Sequence, residues 1–116
     1  MMHLLILALA VASRAETSHP AWMVGTWSWR NPGEHGNDCH SDHNTTYHRN
    51  GRYDFMDETG RWRVVGDRLI ETMTDAGGTG DPAMKGKENV IRFVKVRPGV
   101  LRVRSKYPGL MIKCPG

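Results

Sequence analysis

The chain lacks a long apolar run, a sustained helical period and any recognisable catalytic motif. Its one uncharged apolar stretch, Leu4–Ala12, is shorter than the roughly 20 residues that a membrane-spanning helix needs. No second stretch follows, so a membrane-spanning protein is not expected. No apolar spacing of three to four residues persists beyond two turns, which argues against a helical fold. Ser28 has no nucleophile-elbow residues around it. Gly77-Gly78-Thr79-Gly80 lacks the Lys-Ser/Thr ending of a phosphate loop and reads as a hairpin connection. Asp54, Asp57 and Glu58 offer carboxylates, but turn solvation accounts for Asp57 and Glu58 and nothing supplies a partner. No nucleophile, base and orienting group can be assembled, so a protein that is not an enzyme and carries no cofactor is expected.

Cysteine is also scarce: Cys39 and Cys114 are the only two. What precedes them sets their chemistry. The apolar stretch is followed by Ser13-Arg14-Ala15, with small residues where a leader peptidase cuts. The segment Met1-Met2-His3 lacks the usual Lys or Arg, and a hydrophobic first strand is the alternative reading. We read 1–15 as a signal peptide and 16–116 as one exported domain, secreted or periplasmic. No cysteine for lipid attachment follows the leader. In an oxidising compartment an even cysteine count favours a Cys39–Cys114 disulfide over two free thiols.

Acidic residues are nearly absent from the last third. Residues 85–116 hold nine Lys or Arg against one acid, Glu88, whereas 31–81 hold ten Asp or Glu against five Arg. A basic face of this kind suits an anionic lipid, a polysaccharide or an acidic protein surface, or is simply solvated. Nucleic acid is not an expected partner, because export separates the two and no recognition module is present.

What remains is alternation broken by turns. Strands are expected at 22–30, 45–48, 52–56, 61–65, 68–74, 89–97, 100–107 and 110–113. Asn50-Gly51, Gly66-Asp67, Pro98-Gly99 and Pro108-Gly109 mark tight turns, and Asp57–Gly60 a further one. Residues 31–42 and 75–87 form the two long polar loops. The alternation slips between Phe93 and Val94, which suggests a bulge. The fold class is therefore all-β: an antiparallel up-and-down meander of about eight strands, closed or half-open.

Trp22-Met23-Val24-Gly25-Thr26-Trp27 resembles the opening G-x-W strand of the lipocalin and wider calycin barrels. The Asn50-Gly51-Arg52-Tyr53 and Gly60-Arg61-Trp62 hairpins resemble those of small bacterial lipocalin-like secreted domains. The resemblance implies a barrel with Trp27 packed across one end. Gly25 and Trp27 then have structural roles, as do Cys39 and Cys114 in clasping the barrel.

The expected inward set is Trp27, Trp29, Tyr47, Tyr53, Phe55, Trp62, Val64, Leu69, Met73, Ile91, Phe93, Leu101, Val103, Tyr107 and Ile112. This is enough bulk to fill much of an eight-stranded interior. The leading expectation is a small apolar ligand at the barrel mouth, bound by Trp29, Tyr53 and Trp62. The alternative is an extracytoplasmic protein partner, such as a secreted hydrolase to be inhibited, engaged by loops 31–42 and 75–87. A third is metal or haem binding by His35, His40, His43 and His48, four of the six histidines. Interior volume discriminates: a cavity favours the small ligand, and a filled lumen moves recognition to the loops.

Overall fold

The computed structural model describes residues 17–116, and the leader proposed over 1–15 lies outside the described residues. The strands are β1 (Thr17–Ser18), β2 (Gly25–Arg30), β3 (Thr45–Tyr47), β4 (Arg52–Phe55), β5 (Glu58–Val65), β6 (Arg68–Asp75), β7 (Glu88–Arg97), β8 (Val100–Val103) and β9 (Gly109–Lys113). Each of β2 to β9 pairs antiparallel with its sequence neighbours, and β2 pairs back onto β9, with Trp27 opposite Lys113 and Trp29 opposite Met111. Eight strands thus close into an up-and-down barrel of lipocalin-like form. The short β1 sits beside the end of β5, beyond the reach of β4.

Alternation places most strands correctly, with five departures. The first strand begins at Gly25 because Pro20–Val24 turns instead, through Met23 N–H to Pro20 O (3.0 Å) and Val24 N–H to Ala21 O (3.2 Å). Glu58–Gly60 belong to β5, and the turn before it is only Met56-Asp57. The strand expected to reach Tyr107 stops at Val103, and Tyr107 lies on a turn, 72% exposed. In β9 the inward residue is Met111, while Ile112 is only half-buried. The bulge of β7 exists, but between Lys95 and Arg97.

The lumen is packed. Trp27, Tyr47, Tyr53, Trp62, Leu69, Phe93, Leu101, Val103 and Met111 form one buried cluster with Met23. Tyr47 meets Trp62 edge-on at 5.5 Å between centroids, and Tyr53 lies 6.5 Å from Tyr47. Gly60 permits this density: a Cβ there would lie 2.2 Å from the Tyr53 ring and 2.4 Å from Thr72 O. Met23, fully buried, plugs one end, where the Trp27 indole donates to Met23 O at 2.8 Å. Trp27 thus has the structural position that the resemblance implies.

The meander gives the two ends different characters. Around the plugged end the strands turn tightly at 48–51, 66–67 and 98–99. At the other, open end lie the 31–44, 56–57, 76–87 and 104–108 connections.

Polar groups also enter the lumen. Tyr47 OH donates to Glu71 Oε2 at 2.5 Å, Asn89 Nδ2 to Glu71 Oε1 at 3.3 Å, and Tyr53 OH to Glu58 Oε2 at 2.6 Å. Burial raises the Glu71 carboxyl above its ordinary value, against the bonds from Tyr47 and Asn89. The folded state therefore keeps a proton on Glu71 at a pH where the unfolded chain has lost it. This favours folding below the ordinary value of 4.5 and is lost as pH rises through the native value. Urea titrations of the wild type and Glu71→Gln across pH should show the variant gaining relative stability from pH 4.5 upward. A difference that stays flat with pH would overturn the linkage.

Candidate functional site

Polar loops without regular pairing are usually mobile, but here both long loops are fastened. The 31–44 loop is tied to the end of β9 by the Cys39–Cys114 disulfide, with Cα atoms 5.7 Å apart. Within it, Asn31 N–H donates to Glu34 Oε1 (2.7 Å), Arg30 Nη1 to Gly36 O (3.0 Å) and Asn44 Nδ2 to Asp38 O (2.9 Å).

The 76–87 loop is fastened by a different device. The Asp57 carboxylate accepts Gly78 N–H at 2.6 Å, Thr79 N–H at 3.0 Å and the Thr79 hydroxyl. A Cβ on Gly77 would fall 2.3 Å from Asp57 O, so glycine is needed for this approach. The Thr79 hydroxyl and the Gly78 amide hold the Asp57 carboxyl below its ordinary range. The glycine loop does cradle an anion, but the anion is the chain's own side chain.

Around these loops apolar groups face solvent. Trp29 (37% exposed), Met56 (41%), Met84 (41%) and Tyr107 (72%) all belong to segments at the open end. Met56 has φ 54°, a left-handed conformation that costs a non-glycine residue about 1–2 kcal/mol. The side chain it presents is apolar and unburied, the reverse of what folding alone would select.

The expected ligand residues separate. Trp29 lies at the mouth, its indole donating to Asn31 Oδ1 at 2.8 Å. It borders a cleft of about 620 Å³ with Arg30, Glu34, His35, Asp38 and His43. Tyr53 and Trp62 are buried core residues, 3% and 2% exposed. Trp62 donates to His48 O at 2.9 Å and meets the His19 ring edge-on at 4.8 Å.

The four histidines separate as well. His35 and His43 border the Trp29 cleft, His40 is exposed beside Cys39, and His48 Nε2 pairs with Asp54 Oδ2 at 2.6 Å near the tight-turn end. Burial works against the Asp54 carboxylate, yet bonds from His48 and Arg52 outweigh it and hold it below its ordinary range. Among the described residues no three His, Cys, Asp or Glu side chains are grouped to hold a metal ion. Cys39 is committed to the disulfide.

Sequence reasoning did not mark Met56, Met84 or the Asp57–Thr79 contact. A tight Met-Asp turn between two strands was the available signal for Met56. Compared with protein-family models, with curated proteins and with solved structures, the chain matches none.

Proposed function

We propose that this is an exported, non-catalytic protein-binding module, built on a small calycin-type bacterial barrel. It would act on an extracytoplasmic partner, such as a secreted hydrolase, through its open end. One observation carries the reading: with the lumen packed, four exposed apolar side chains lie at the same end, Met84 on a fastened loop and Met56 beside the Asp57 that fastens it. Large apolar groups among polar neighbours resemble an interface hot spot, and loops ordered before contact lower the entropic cost of binding. A small ligand beside Trp29 is the second reading, supported by a cleft volume within the range of ligand sites.

The strained turn supplies a test. Met56→Gly should raise stability by up to about 1 kcal/mol by relieving the left-handed backbone. The same change should weaken partner binding roughly tenfold by removing an anchor. Chemical denaturation and affinity capture from extracytoplasmic fluid, with wild type and variant side by side, read both effects. A partner held equally well by Met56→Gly and by Tyr107→Ala would place recognition elsewhere. Saturable quenching of Trp29 by small apolar probes, with no stoichiometric protein partner, would favour the second reading.

A further inference from the structure

The plugged end carries a feature that the proposed protein interface does not use. Trp22, half-buried, packs edge-on against Phe93 at 5.7 Å between centroids. Lys95 Nζ stands 3.9 Å above the Trp22 ring, and Lys113 Nζ donates to Trp22 O at 3.2 Å. Arg97 lies on the same strand as Lys95, past the bulge, where the register slips. Together with Pro98, Gly99 and Leu101 they border a cleft of about 440 Å³.

Its floor is apolar and its rim is cationic. Leu101 is 1% exposed and belongs to the core cluster, so the cleft opens directly onto buried hydrocarbon. Among the described residues, Lys95, Arg97 and Lys113 have no salt bridge, while Arg52 and Arg63 are paired with Asp54 and Glu88. Three like charges bordering one cleft repel one another, and an anion among them relieves that repulsion. The apolar surface between them adds a requirement: the anion should carry a hydrophobic body.

We propose that this cleft binds a small amphiphilic anion, with an acidic head between Lys95, Arg97 and Lys113 and an apolar body over Trp22 and Leu101. The site lies at the end opposite to the 56–57, 76–87 and 104–108 connections, so it can be occupied while the open end holds a partner. It also gives a role to part of the basic C-terminal third.

Decanoate, decanol and inorganic phosphate are suitable probes, followed by NMR shifts of the Trp22 indole N–H in the full domain. Decanoate should produce a saturable shift, and decanol and phosphate should each produce a much weaker one. The double variant Lys95→Gln/Arg97→Gln should bind decanoate at least about tenfold more weakly, because charge-assisted contacts are lost. Both positions are exposed, and an unchanged circular dichroism spectrum confirms that the variant is folded. Equal shifts with decanol would show that the cations play no part, and equal shifts with phosphate that the apolar floor plays none. Either result, or a Trp22 signal that moves only with anionic phosphatidylglycerol vesicles, overturns the proposal.

Discussion

Trp62→Ala should destabilise the barrel by about 3–5 kcal/mol, the range for deleting a buried tryptophan. Trp62 is 2% exposed, packs edge-on against Tyr47 and stands opposite Glu71 across the β5–β6 pair. Its removal opens a void in a lumen with little freedom to collapse, because the ladder closes on itself. It also leaves His48 O without the indole donor. Domains of this size have about 5–15 kcal/mol in total, so the variant should be close to unfolding. Urea denaturation with an unchanged m-value measures the effect cleanly. Trp62→Phe should lose much less, since it keeps most of the ring. A loss below about 1 kcal/mol for the alanine variant would mean that the lumen is not packed around this residue.

Opening the Cys39–Cys114 disulfide should come next in size. The two cysteines are 75 positions apart, and releasing a loop of that length costs about 4 kcal/mol in the chain-entropy account. Cys39→Ser/Cys114→Ser avoids reductant and should show this loss in denaturation. It should also free the 31–44 loop, which faster amide exchange confined to that segment would reveal. The 76–87 loop, held through Asp57 instead, should keep its protection. If both loops lose protection together, they do not order independently. A stability loss without weaker partner capture would separate the clasp from recognition.

Much of the barrel was legible because its strands obey a two-residue period. Trp27, Tyr47, Tyr53, Trp62, Leu69, Phe93, Leu101 and Val103 all follow from that period and are all buried. Parity failed where both faces carry apolar residues. In Gly109–Lys113, Leu110, Met111 and Ile112 fit either phase, and the choice of Met111 accompanies an inward Lys113 that reaches Trp22. Met23 shares the parity of Trp27 in the strand expected over 22–30, but it is buried from the turn that precedes β2 and so plugs the end instead of lining the wall. Glu71 was legible in principle, since it alternates with Leu69 and Met73, but a carboxylate is not expected inside without the tyrosine donor that Tyr47 supplies.

The candidate site was less legible, for a physical reason. The apolar groups of the open end come from one strand and three separate connections, so only the closed topology brings them to one end. Trp29 could be placed at the mouth from its position late in its strand. Tyr53 and Trp62 share its inward parity but lie deeper, and parity carries no information about depth.

Closure of the ladder has a consequence for how this protein can be joined to others. Among the described residues every strand of the barrel already has a neighbour on both sides. Its backbone amides and carbonyls are committed to one another. A peptide finds little edge on which to donate an extra strand, since beside the closed ladder only the two-residue β1 has a side without a strand neighbour. Attachment must be made by side chains and loop tips, so its specificity rests on residues that can be exchanged one at a time without disturbing the scaffold.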